Sequence, residues 1–186
     1  YYDHVNWVDA RFETTGATTF KTFNPVPGEP YILTPTPSAS PKITGARVFG
    51  VRPGSPFQFL VTATGDRPMT FSASKLPKGL KIDAKTGIIT GKLKQRGTYN
   101  VVLKAKNAKG TAVRKFRIEC GDRIALTPPM GWNSWNCFAQ EVSAEKVKRA
   151  ADAMVSSGLI NHGWTYVNID DFWENHRDSK DPSLRG

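Results

Sequence analysis

The hydrophobic period of this chain changes at Cys120, and that change constrains the fold more than any other feature. Before it, apolar residues alternate over short runs bounded by turn residues. ARVFGV, PFQFLVTAT, MTFSAS, GIITGKL, GTYNVVLKAKN and GTAVRKFRIEC read as half-buried strands between about Ile43 and Cys120. Phe57, Phe59 and Val61 fall on one face, as do Tyr99, Val101, Leu103 and Ala105, because successive strand side chains point to opposite sides. Turns carry the residues that turns require: Pro53-Gly54, Gly65-Asp66, Thr86-Gly87, Asn107 and Gly110. About seven strands in so short a span predict an antiparallel β-sandwich over residues 42–120. The Cys…Trp…Cys pattern of antibody domains is absent.

After Cys120 the period becomes helical. In SAEKVKRAADAMVSSG, Ser143 is a suitable N-cap, Glu145 lies in the first turn and Gly158 suits the left-handed C′ position. Val147, Ala150, Ala151 and Met154 form one apolar stripe. TYVNIDD follows as a strand without clean alternation, expected where both faces are covered, and MGWNSW before the helix reads as another. Strand, helix, strand is a βαβ unit, which predicts a parallel pair and a right-handed crossover. Residues 121–186 are thus read as the opening of an α/β domain. At the other end, VNWVDARF and ATTFKTF are strand-like pieces too short to bury a core. They lead into a segment with six prolines from Pro25 to Pro41, so residues 1–41 are read as short strand-like pieces followed by a Pro-rich linker or edge-hugging arm.

The net charge of +10 first suggests nucleic acid or a membrane surface. Its distribution weakens the idea. Residues 42–119 hold 17 Lys/Arg against 3 Asp/Glu, whereas each flank is slightly acidic. The basic residues are scattered over strands and turns, without an arginine cluster or an RNA-binding aromatic motif, so a solvated basic face is the expectation and nucleic-acid binding is not. No apolar run is long enough to span a membrane, and the opening YYDHVNWVDARF has no signal-peptide character. Cys120 and Cys137 have no metal-ligand spacing; a disulfide and two free thiols both fit the sequence. No metal or other cofactor is expected.

Two constellations could carry chemistry. Asp170 and Asp171 end a strand of a parallel sheet, the edge beyond which ligands bind in α/β folds. Neighbours on a regular strand diverge, so both can address one ligand only if the backbone bends at or just after Asp170. Otherwise one Asp caps the next turn while the other is solvated. Trp132 and Trp135 in GWNSW would point to opposite sides of a strand, leaving at most one for any pocket, and either could simply pack in a core. A tryptophan face suits the apolar side of a sugar ring, and carboxylates accept its hydroxyls.

TPPMGWNSWNCF, the helix AEKVKRAADAMVSSGL and YVNIDDFW together resemble the start of the α-galactosidase (melibiase) family, glycoside hydrolase family 27, over about residues 123–178. The resemblance implies a TIM-type β/α barrel that is incomplete in this chain, with GWNSW on its first strand and the IDD acids at the end of its second. It makes Trp135 a wall of the galactose pocket, Asp170 and Asp171 acceptors for sugar hydroxyls, and Trp132 a packing residue. It also implies a retaining mechanism with two reacting Asp residues on later strands, so no catalytic residue is expected in this chain. Many relatives have Cys where Phe172 stands, bridged to the loop after the first strand; Phe138-Ala139-Gln140 here cannot supply that bridge.

LPKGLKIDAKTGIITGKLKQRGTYNVVLKAKNAKG is similar to the cadherin-like Ig modules of bacterial surface and secreted proteins, and DHVNWVDARF to the tail of a carbohydrate-binding module. These resemblances imply a secreted, periplasmic or cell-surface location and α-galactoside glycans as partners. A non-catalytic carbohydrate-binding or spacer role for the chain is the alternative. A barrel of this type needs about 250 residues. The apolar faces of the opening units must therefore pack on the sandwich, pair with another chain or remain unordered.

Overall fold

The computed structural model describes residues 15–16 and 36–174. The strand-like pieces before Pro25 and most of the Pro-rich segment lie outside the described residues. The chain divides into two units, Tyr1–Pro35 and Thr36–Gly186, and the sandwich and the βαβ unit both lie in the second.

Nine strands build the first half: β1 Lys42–Ile43, β2 Val48–Val51, β3 Pro56–Leu60, β4 Ala63–Thr64, β5 Thr70–Ser74, β6 Leu80–Ile82, β7 Ile88–Lys92, β8 Gly97–Asn107 and β9 Gly110–Cys120. One sheet has the order β2-β9-β8-β5 and the other β3-β7-β6, with β1 and β4 paired beside them. β6 is hidden in LPKGLKI, because three residues between turns show too little alternation to register. The expectation of a wholly antiparallel sandwich is corrected at one edge, where β2 runs parallel to β9 with Val48 opposite Arg117. β8 and β9 form a hairpin closed by the two-residue loop Ala108-Lys109, which forces them antiparallel. β2 reaches β9 from far away in sequence, so no tight turn dictates its direction.

The two sheets enclose one core. Phe57, Val61, Ile89, Val101, Leu103 and Ile118 are all at most 2% exposed. Phe49 meets Phe57 edge-on at 5.2 Å between ring centroids, and Phe59 meets Phe116 at 4.5 Å. Truncating one such aliphatic side chain to Ala would cost about 2–5 kcal/mol. The turn from β6 to β7 is held by Asp83, whose carboxylate accepts the amides of Lys85 (2.9 Å) and Thr86 (2.8 Å) and the Thr86 hydroxyl (3.0 Å). The end of the Pro-rich segment lies along the β8–β9 turn: the Ala39 carbonyl accepts from Asn107 Nδ2, and the Ser40 hydroxyl donates to the Lys109 carbonyl.

In the second half, β10 (Gly131–Asn133) and β11 (Tyr166–Asn168) pair in parallel, as a βαβ unit requires. Between them lie α1 (Trp135–Phe138), a 3₁₀ turn, α2 (Ala144–Ser156) and a second 3₁₀ turn, Leu159–His162. Ser143 caps α2, its side chain accepting the Lys146 amide, and Gly158 follows with φ 80°. Met154 is the buried residue of the predicted stripe. Both strands are shorter than expected. MGWNSW leaves the sheet after Asn133, because the chain turns into α1 at Ser134, and TYVNIDD after Asn168, because the Asp170 amide donates to the Ser134 hydroxyl instead of a backbone carbonyl.

The halves meet at a clasp of backbone and short polar groups. Arg114 on β9 donates to the carbonyls of Ile43 (3.1 Å), Thr44 (2.6 Å) and Gly45 (2.8 Å), fixing that loop. Burial of its guanidinium pushes the Arg114 pKa down from the ordinary arginine value. The fixed loop presents Thr44, whose hydroxyl donates to the Asn161 carbonyl at 2.6 Å, while Arg67 donates to Asn161 Oδ1 at 2.6 Å. Beside them Gly163 lies against Gly45. It has φ 98°, and a Cβ there would stand 2.7 Å from Gly45 Cα. The βαβ unit therefore does pack on the sandwich at this corner. Ile169, Phe172 and Trp173 stay 47–55% exposed.

Candidate functional site

Ser134 organises the carboxyl ends of β10 and β11. It is fully buried. Its amide donates to the Asn168 carbonyl at 3.1 Å, and its Oγ accepts the Asp170 amide at 2.9 Å. Its carbonyl accepts the amides of Cys137 and Phe138, so the same residue starts α1. Asn168 Nδ2 donates to the Trp132 carbonyl at 3.2 Å, adding a side-chain rung to the parallel pair.

From this hub the predicted residues spread out. Trp135 is the first residue of α1, with its amide donating to Asn133 Oδ1 at 2.9 Å. It does not lie on the strand with Trp132, so the opposite-face argument from strand geometry does not govern the pair. Trp132 packs 5.8 Å from the Phe138 ring, and its Nε1 donates to Cys137 Sγ at 3.3 Å. Trp135 lies 6.0 Å from the ring of Phe172 with the planes tilted by 32°. Asp170 and Asp171 come just past the end of β11, in the chain segment that leads to Phe172.

The bend that two adjacent acids need is present there. Phe172 has φ 63°, a left-handed conformation unusual for an aromatic residue. Asp170 Oδ1 accepts the Asp171 amide and Asp171 Oδ1 accepts the Phe172 amide, both at 2.8 Å. Each carboxylate thus uses one oxygen to shape the turn. The second oxygen of each has no partner among the described residues, and both side chains are exposed. Such groups are acceptors for hydroxyl or cationic ligands. Ser134, Asn168 and Phe172 were missed by sequence reasoning. A small polar residue at the end of a short strand, between two tryptophans, was the available signal for Ser134.

Among the described residues no group of three or more His, Cys, Asp or Glu is placed to hold a metal, and no helix is long and apolar enough to cross a membrane. Both cysteines are free thiols, Cys120 buried and Cys137 exposed, which decides between the alternatives left by the sequence.

Comparison with known proteins agrees with both halves. Residues 40–121 match the family model described as "Putative Ig domain". Alpha-galactosidase 3 of Arabidopsis thaliana is 51% identical over 59 residues, 32% of this chain and 14% of that protein. Alpha-galactosidase A of Cellvibrio japonicus is 49% identical over 57 residues, 31% of this chain and 14% of that protein. The chain thus spans about one seventh of the length of these curated relatives. A solved structure described as "a putative alpha-galactosidase" from Bacteroides fragilis matches with TM-score 0.72 and 46% identity, covering 77% of this chain and 31% of that one. A second, described as "a putative alpha-galactosidase/melibiase" from the same organism, matches with TM-score 0.70 and 48% identity over 74% of this chain and 29% of that one. Such coverage exceeds what residues 1–121 could supply, so the likeness runs through the Ig domain into the βαβ unit. Residues 40–121 are thus similar to Ig domains, in a chain that beyond them is similar to α-galactosidases.

Proposed function

We propose that the chain carries the sugar-holding half of the active site of a secreted α-galactosidase. In this reading residues 121–186 are the first βα units of a TIM-type barrel, residues 42–120 the Ig-like domain before it, and residues 1–41 the tail of an upstream module with its linker. Trp135 supplies an apolar platform for one face of a galactose ring. Asp170 and Asp171 accept hydrogen bonds from its hydroxyls with their remaining carboxylate oxygens. The reacting pair, an Asp nucleophile and an Asp acid/base with carboxyls about 5–5.5 Å apart, would come from later barrel strands.

One observation carries this reading: the parallel β10–β11 pair and the Ser134 bond bring Trp135 and the Asp170–Asp171 turn to the same sheet edge. The alternative of a loosely tethered spacer is disfavoured by the clasp at Asn161 and Gly163, which joins the Ig domain to the βαβ unit directly.

The test is hydrolysis of p-nitrophenyl α-galactoside. The 186-residue chain should release no p-nitrophenol. The chain extended by the sequence encoded after Gly186 should, and Asp170→Asn or Trp135→Ala in that longer protein should lower kcat/KM by at least about 100-fold, as expected when several transition-state contacts are lost. Hydrolysis by the 186-residue chain, or full activity of both variants, would defeat the proposal.

A further inference from the structure

The strand register turns the scattered basic residues of the Ig domain into an ordered feature. On the outer face of the four-stranded sheet, directly opposed pairs are Lys106 with Thr111, Lys104 with Val113, Val102 with Lys115, and Asn100 with Arg117. Each pair is one step further along the strands, and each contributes one cation. Lys106 and Lys104 belong to β8, Lys115 and Arg117 to β9, so the line crosses from one strand to its neighbour halfway. Steps of two residues advance about 7 Å, so the four cations form a single file about 20 Å long.

The surroundings of this line are mild. Thr70 and Ser72 on β5 stand opposite Lys106 and Lys104, and Val113 is 61% exposed. The only carboxylate on this face among the described residues is Glu119, which pairs with Arg117 at 2.8 Å and accepts the Thr98 hydroxyl. The contacts to the βαβ unit come from Thr44, Gly45 and Arg67, leaving this face open among the described residues.

We infer that this face binds a linear acidic polysaccharide, one bearing carboxylates singly along its length. A flat sheet with one cation per step matches charges presented in single file, and the neighbouring hydroxyls and valines can meet sugar hydroxyls and ring C–H groups. Duplex DNA fits poorly. It carries a charge about every 1.7 Å of axis, several times denser than this line, and the face has no aromatic platform for bases and no element shaped for a groove. The acidic polymer would hold the protein near the matrix in which it works, independently of the sugar site at Trp135 and Asp170.

The experiment is binding of polygalacturonate to the full chain by affinity electrophoresis and by titration at several salt concentrations. Neutral galactomannan and a DNA duplex are the comparison polymers. Polygalacturonate is expected to retard the chain and galactomannan is not. Lys104→Glu with Lys115→Glu should weaken polygalacturonate binding at least about tenfold. Lys104→Gln with Lys115→Gln should reduce the salt slope by about 1.5, as removal of two ion contacts predicts, and this neutral pair carries the test if the reversed pair does not fold. Lys81→Glu with Lys92→Glu, on the other sheet, should leave binding unchanged. The inference is overturned by equal retardation with galactomannan, by tighter binding of duplex DNA, or by equal loss with the Lys81/Lys92 control.

Discussion

The Oγ of Ser134 accepts the amide proton of Asp170 at 2.9 Å, while the Ser134 amide donates to Asn168 at 3.1 Å. One buried side chain thereby extends the parallel ladder past the point where both strands end, and sets where the two acids begin. Ser134→Ala leaves the Asp170 amide without its acceptor, a loss worth about 1–3 kcal/mol. The melting temperature should fall, and amide exchange at Asp170 and Asp171 should accelerate more than in the core strand β8. Unchanged exchange at Asp170 would show that the bond does not hold the turn.

The clasp can be tested by crowding it. Gly163→Val places a side chain where Gly45 Cα already stands, in a backbone conformation that β-branched residues avoid. Residues 121–130 should become sensitive to limited proteolysis, and thermal unfolding should split into two transitions with the sandwich transition retained. Thr44→Val with Arg67→Ala, which removes both bonds to Asn161, should give a milder form of the same result.

Asp83 predicts a pH dependence. The Thr86 backbone bond above all, then the Thr86 hydroxyl and the Lys85 amide, hold its carboxyl below the usual value of 3.8. A depressed folded-state pKa means the contribution is complete above the unfolded pKa and is lost as pH falls through the folded one. Asp83→Asn should therefore lower the melting temperature at pH 7, and the gap to the parent should narrow as pH falls below about 4. A gap that is constant down to pH 2 would rule out the carboxylate as its source. Asp122, lowered by its hydrogen bonds to Arg96, titrates in the same sense.

Thiol accessibility separates the two cysteines. In the native chain one equivalent, Cys137, should react with a disulfide reagent, and Cys120 should react only after denaturant is added. Mild oxidation should produce no intramolecular bridge. Two fast equivalents would contradict the burial of Cys120.

The sandwich was legible because β8 and β9 are eleven-residue strands whose alternation places Val101, Leu103 and Ala105 inward without a break. α2 was legible from Ser143 to Gly158 because caps and stripe agree. β1, β4 and β6 were not, since two or three residues cannot display a period. The direction of β2 depends on pairing across nearly seventy residues, which no local pattern records. At the candidate site, residue types and the family resemblance singled out Trp135, Asp170 and Asp171 as candidates, but the position of Ser134 between them exists only once two strands lie side by side. The left-handed Phe172 was equally invisible, because aromatic residues do not signal that conformation.

Gly45 and Gly163 touch through backbone alone, so nothing softer than a main chain lies between the Ig domain and the βαβ unit at that point. A bead on a string can be exchanged for another bead; this domain cannot. Any chimera that swaps the sandwich must carry a glycine in place of Gly45 and the Arg114-held loop as one part, to meet the Gly163 that the βαβ unit retains, and grafts that keep only the linker should yield insoluble protein.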